Sequence, residues 1–149
     1  GYPKDWIDKR LRGIAIRQDL TNEWKNRHVF EEKDFAILTN EISKATFGIG
    51  IKEHNLIKKI PVKLKTNLRD HMTDWELIFT MLGEKASTDI TKTRNAQGFK
   101  ECKSSAKKGG QIAKNARKEL EKETGKKIVS KDNYLSLNEK KKKKLIKKN

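Results

Sequence analysis

The chain has 149 residues, of which 36 are Lys or Arg and 20 are Asp or Glu, so its formal net charge is +16. Hydrophobic residues make up 34% of the chain, which is lean but sufficient for one small domain because they are clustered. The single cysteine, Cys102, excludes an intrachain disulfide, and no apolar run approaches the roughly 20 residues that span a bilayer. A cytoplasmic protein without a membrane segment is expected.

Apolar residues at steps of three and four predict an all-α fold of about five helices. In chain order, these helices are expected over residues 4–28, from 31–34 to about 46, within 51–60, over 73–93 and over 97–123. On the first helix, Ile7, Leu11, Ile14 and Ala15 define the expected core face, and Leu20 and Trp24 continue it after a change of phase near Gly13 or Asp19. Thr73 and Glu76 form a capping-box pattern, which predicts the start of the fourth helix.

The fourth predicted helix is the most hydrophobic stretch, and we expect the other helices to pack around it. Its expected apolar face comprises Trp75, Ile78, Phe79, Leu82 and Ala86. Trp6 and Trp24 also sit at helical apolar spacing, so core packing is favoured over base stacking for all three tryptophans.

The last predicted helix has a seam of mostly small residues, which would allow a close helix crossing. The seam comprises Phe99, Cys102, Ala106, Gly109, Ala113, Ala116 and Leu120. Gly109 and Gly110 each cost about 1 kcal/mol relative to Ala inside a helix, so they indicate a close crossing, a kink or a break. Gly125 is the expected C-terminal cap. The seam would pack within the chain or form a homodimer, and the small core slightly favours a dimer.

The basic charge is concentrated in the last third of the chain. Residues 98–149 hold 18 Lys or Arg against 6 Asp or Glu, whereas residues 1–97 hold 18 against 14. Such a surplus predicts a polyanionic partner, because neutralised phosphates release counterions. The expected phosphate contacts are a helical stripe and a flexible tail over 138–149, comprising Lys100, Lys103, Lys107, Lys114, Arg117 and Lys118, together with Lys141, Lys142 and Lys143.

Enzymatic motifs are weak in this sequence. No His or Cys has a partner at zinc-ligand spacing, no phosphate-binding glycine loop occurs, and no cofactor is expected. A metal-dependent nuclease using Asp70 and Glu76 is the enzymatic alternative to a non-catalytic role.

Several stretches together resemble the C-terminal half of bacterial and prophage proteins that contain a BRO-N module. The stretches are GYPKDWIDK at 1–9, FAILTNEISKATFG at 35–48, LRDHMTDWELIFTMLG at 68–83, and a series of motifs from Asn95 to Leu135. This group includes phage antirepressors and DNA-damage-inducible protein D. The resemblance covers residues 1–137 as one helical domain and implies that an N-terminal BRO-N module, thought to bind DNA, is absent here. Segment 50–66 departs from the pattern.

Two functions follow as expectations. The first is a non-enzymatic, DNA-associated regulatory domain of the antirepressor or SOS-response type, which contacts phosphates through the stripe. The second is a protein-interaction or dimerisation module that binds a repressor or recombinase, with DNA contact residing in the missing module.

Overall fold

The computed structural model describes residues 2–61 and 66–134, and within these ranges the fold is all-helical, without strands. The elements in chain order are α1 (Lys4–Asn26), α2 (Glu32–Phe47), α3 (Ile51–Ile57), a 3-10 turn (Leu68–His71), α4 (Asp74–Thr93) and α5 (Gly98–Thr124). The predicted all-α class with about five helices is therefore confirmed.

The two predicted helix caps are present. The Thr73 hydroxyl accepts a hydrogen bond from the backbone N–H of Glu76, and the Glu76 carboxylate accepts one from the N–H of Thr73 at 3.0 Å. The second cap is at the C-terminal end of α5, where Gly125 has a φ of 70° that suits a residue without a Cβ.

The four long helices form two parallel pairs, α1 with α4 and α2 with α5, and the two pairs run in opposite directions. Side chains of α1 and α4 meet in ascending order in both helices, Lys9 with Asp74 and Arg17 with Glu84, so these two helices run parallel. The α5 helix returns antiparallel to α4 and lies parallel to α2, while α4 contacts α1, α2 and α5.

The glycines of α5 allow α4 and α2 to approach closely. A Cβ on Gly109 would lie 2.6 Å from the backbone nitrogen of Ser87, and one on Gly110 would lie 2.8 Å from the carbonyl oxygen of Ile42. The predicted seam is thus buried at Cys102, Ala106, Gly109 and Ala113, whereas Ala116 is exposed. Because these residues face α4 and α2, the seam packs within the chain.

The predicted core face of α1 is wrong in the first half of the helix, where Ile7, Leu11 and Ile14 are 40%, 59% and 50% exposed. It is right at Leu20 and Trp24, which are fully buried. The buried face of α1 carries Trp6, Gly13, Ile16, Leu20 and Trp24. Two tryptophans bury more apolar area than the aliphatic residues. This face packs against α4, where a Cβ built on Gly13 would lie 3.7 Å from Cγ of Met81.

The buried face of α4 is unexpectedly polar. Trp75 is 48% exposed and Leu82 is 36% exposed, while Ser87, Thr88 and Thr91 are buried. Each of these three hydroxyls donates a hydrogen bond to the backbone carbonyl four residues earlier, so burial leaves no unpaired donor. Small satisfied hydroxyls suit a close helix crossing. Of the predicted face of α4, Phe79 is buried and Ile78 and Ala86 are partly buried, so the prediction is wrong for Trp75 and Leu82.

Candidate nucleic-acid interface

The predicted stripe lies on a regular helix. Lys100, Lys107 and Lys114 follow one another at intervals of seven residues, so they project from nearly the same side of α5. Lys100, Lys107 and Lys118 are exposed, and Lys103 and Lys114 are partly exposed. The cations are therefore available to a partner along one flank of the helix.

Part of this stripe faces a shallow groove between α2 and α5. The groove has a volume of about 510 Å³. We call it the basic groove, because the charged residues that line it are Lys44, Arg94, Lys107, Lys108 and Lys114, with Glu41 as the acidic residue among its lining. Five cations against one carboxylate create a strongly positive local surface.

Glu41 neutralises little of this charge. Its two carboxylate oxygens lie 3.9 Å from Nζ of Lys103 and 4.0 Å from Nζ of Lys107. Lys107 has a side chain that is 58% exposed, and ion pairs this loose and this exposed contribute little stability. One carboxylate shared between two ammonium groups leaves a net positive charge, so Lys103 and Lys107 can each contact a further anion.

Arg117 does not belong to the exposed stripe, and this part of the predicted site is wrong. Its Nε donates to the carbonyl of Thr46 at 2.7 Å, and its Nη1 donates to Glu121 at 2.8 Å. The residue is only 8% exposed. Arg117 follows Ala113 by four residues, so it continues the buried seam and holds the end of α2 against α5.

Three residues of the basic groove were not predicted from the sequence. Lys44 comes from the last turn of α2 and Arg94 from the end of α4, where its guanidinium lies 3.4 Å from the Ser104 hydroxyl. Lys108 directly follows the predicted Lys107 in the sequence, and this proximity could have indicated that it belongs to the same basic surface. The predicted tail contacts Lys141, Lys142 and Lys143 lie outside the described residues.

The two carboxylates of the nuclease hypothesis have different partners. Asp70 pairs with Nε of Arg10 at 3.0 Å near the surface, whereas Glu76 is buried beside His54 and Lys58. Among the described residues, no group of three or more His, Cys, Asp or Glu side chains is arranged to hold a metal ion.

Glu76 is the centre of a buried ionic cluster that the sequence did not reveal. One oxygen lies 2.5 Å from Nε2 of His54, and the other accepts a hydrogen bond from Lys58, which also donates to the carbonyl of Asp132. Burial opposes ionisation of Glu76, but the hydrogen bond from His54 and the charge of Lys58 prevail and lower its pKa. All three side chains are fully enclosed, so the cluster fastens α3 and the C-terminal segment to α4.

No family model matches this chain, and neither curated proteins nor solved structures gave a significant match. Within the part of the chain that the structure describes, none of the helices is long and apolar enough to cross a membrane.

Proposed function

We propose that this chain is a non-enzymatic, DNA-associated regulatory domain that contacts phosphates through the basic groove and the adjoining lysines of α5. The observation that carries the proposal is the groove itself, where cations from three different helices line one concave surface. Lysines scattered over a surface would not concentrate positive potential in this way.

The interaction we propose is with the nucleic-acid backbone rather than with bases. Lysine ammonium groups act as point charges toward phosphates, and such contacts give affinity without reading sequence. Among the described residues, no aromatic side chain lines the basic groove, so we expect no stacking on unpaired bases there, and duplex DNA is the favoured ligand.

The resemblance to prophage antirepressors and DNA-damage-inducible protein D supports the same proposal. Those proteins act on or near DNA in the bacterial cytoplasm, and a basic C-terminal half would add non-specific affinity to a separate BRO-N module. We therefore infer a role in antirepression or the SOS response.

Fluorescence anisotropy with a labelled 20-base-pair duplex, measured from 50 to 200 mM salt, tests this proposal. The variant Lys107→Gln/Lys108→Gln/Lys114→Gln removes three cations from the groove. Log affinity falls with log salt, and each lost phosphate contact makes this dependence less steep by about 0.9. For three lost contacts we therefore expect the magnitude of the slope to decrease by about 2.7.

A matched control removes the same amount of charge elsewhere. Lys4, Arg12 and Lys85 are exposed residues of α1 and α4 that do not line the groove, and their triple change to Gln should leave most of the slope intact. Equal losses in the two triple variants would mean that net charge alone drives binding, and an absence of binding at 50 mM salt would refute the proposal.

A second candidate function is supported by the exposed aliphatic residues of α1. Ile7, Leu11 and Ile14 lie at steps of four and three on one side of the helix, and we call them the apolar ridge. An apolar helix face of this kind can bind a hydrophobic groove on another protein, so we propose a repressor or recombinase as the alternative partner. Co-elution with such a partner that resists 500 mM salt and is lost in Leu11→Asp would favour this function.

A further inference from the structure

A second cavity lies on the opposite side of α2 from the basic groove. It has a volume of about 500 Å³ and is bounded by α1, α2, α3, the 3-10 turn and α4. Pockets of 300–1,000 Å³ are typical of small-molecule sites. It is separate from the basic groove, because none of the residues in 2–61 and 66–134 lines both.

Charged groups of the cavity converge on one buried carboxylate. Glu84, which is 1% exposed, accepts two hydrogen bonds from Arg69, at 2.5 and 2.9 Å, and a third from Nη1 of Arg17 at 3.1 Å. Arg10 also lines the cavity and pairs with Asp70 through Nε. Since Asp70 pairs with Arg10, the two guanidinium groups of Arg17 and Arg69 share the single carboxylate of Glu84.

Arg17 is the guanidinium best placed to receive a further anion. Within the described residues it donates one hydrogen bond to Glu84, and its guanidinium lies 5.2 Å from the centre of the Trp24 ring, which helps to fix its position. Since a guanidinium carries five N–H donors, Arg17 retains donors for a ligand. Burial lowers its pKa, and the neighbouring Arg69 adds to this effect against the opposing charge of Glu84, so a bound anion would relieve an incompletely compensated cation.

The rest of the cavity suits an apolar body. Ile42, Phe47 and Met72 contribute apolar walls. Thr46 also lines the cavity, but its hydroxyl is buried at the crossing of α2 and α4, where a Cβ on Gly83 would lie 2.9 Å from Oγ1. A ligand in the cavity would therefore meet mainly the apolar side chains of this wall.

We propose that this cavity binds a small organic anion, with a carboxylate or phosphate group against Arg17 and an apolar body between α1 and α2. The proposal does not depend on DNA binding, and it assigns the chain a ligand that would occupy the space between two of its helices. Such a ligand would be expected to stabilise the fold by mass action.

Titration of the ¹⁵N-labelled chain with 4-phenylbutyrate and with phenyl phosphate, followed by amide chemical shifts, tests the proposal. The neutral 4-phenylbutanamide serves as the comparison for charge. We expect saturable shifts at amides of cavity residues such as Thr39 and Phe47 with at least one acid, and at least tenfold weaker binding of the amide. The acid that binds more tightly shows whether the cavity prefers a carboxylate or a phosphate group.

Two variant pairs locate the anion. Arg17→Gln should weaken binding at least tenfold, whereas Arg12→Gln on the exposed side of α1 should not. Glu84 keeps both of its bonds from Arg69 in the Arg17 variant, so the fold should survive, and a thermal melt checks this. Ile14→Glu places a negative charge at the cavity lining and should also weaken binding, while Leu11→Glu, which does not line it, should have no effect.

The proposal would be overturned by any of three results. The first is equal affinity for the acid and the amide. The second is chemical-shift changes confined to residues of the basic groove. The third is the absence of saturable shift changes with both acids at 10 mM.

Discussion

Alanine substitution at Gly109 tests the helix crossing on which the fold depends. In an ordinary helix interior this change is stabilising by about 1 kcal/mol, because alanine loses less backbone entropy. Here the new Cβ would lie 2.1 Å from the Ser87 hydroxyl oxygen, 2.6 Å from its nitrogen and 2.8 Å from its Cα. The hydroxyl can rotate away, but the backbone atoms cannot.

The size of the effect follows from these distances. Relief of the contact with the Ser87 nitrogen requires α4 and α5 to separate by roughly 1 Å, toward the usual spacing of non-bonded atoms. Overpacking of this kind costs about 1–3 kcal/mol and sometimes more. The rigid backbone contact places Gly109→Ala at the upper end of that range, about 3 kcal/mol. The gain in helix propensity of about 1 kcal/mol offsets part of this cost. We therefore expect a net destabilisation of about 2 kcal/mol and a loss of roughly 4–8 °C in Tm.

The chain offers a matched control in Gly13→Ala. Gly13 is also buried within a helix, but its nearest neighbours would be the flexible Met81 Cγ and Sδ, at 3.7 and 3.8 Å. The helix-propensity gain should then prevail, so we expect stabilisation by about 0.5–1 kcal/mol. The same chemical change should thus have opposite signs on two buried helix faces.

Urea unfolding followed by circular dichroism at 222 nm measures both variants against the parent chain. A neutral or stabilising result for Gly109→Ala would refute the close crossing of α4 and α5. Destabilisation of similar size in both variants would instead mean that any added methyl group disturbs this bundle, and the distances above would lose their explanatory value.

The remaining predictions concern the buried ionic cluster, the cysteine and the apolar ridge. Because the folded-state pKa of Glu76 lies below its unfolded value, its stabilising effect is present above the ordinary Glu pKa and is lost as pH falls through the folded value; Glu76→Gln should cost about 3–5 kcal/mol near pH 7 and less in acid, by urea titrations across pH. Burial raises the pKa of Cys102 to about 11, so its reaction with Ellman's reagent at pH 8 should proceed only as fast as the protein opens, and a rate matching a free thiol would contradict this burial. Leu11→Ser should change the unfolding free energy by less than about 0.5 kcal/mol, whereas Leu20→Ala on the buried face of the same helix should cost about 2–5 kcal/mol, and equal losses in thermal melts would reverse our assignment of that face.

Helix positions could be predicted from the sequence because their signals are local. The Thr73–Glu76 capping box and the cap at Gly125 each depend on a few consecutive residues, and both are present in the structure. The small-residue seam of α5 was likewise visible as a periodicity. Its burial at Ala106 and Gly109 follows from the same local pattern.

Which face of a helix is buried could not be predicted so well, because periodicity fits more than one face. On the first half of α1 the aliphatic residues Ile7, Leu11 and Ile14 gave the clearer pattern, yet the side that contains Gly13 and Ile16 packs against the bundle. Arg117 shows the same limit at the candidate site, since its spacing suited both the basic stripe and the seam.

By itself, the sequence determined the helical class, most helix ends and the surplus of positive charge in the last third, since these depend on composition and short-range spacing. Only the tertiary structure decided which cations share a surface. Lys44, Arg94 and Lys114 come from three helices and line one groove, and Glu84 meets Arg17 across 67 residues of chain. Such juxtapositions arise from how helices pack, which depends on the shapes of facing side chains that no single segment contains.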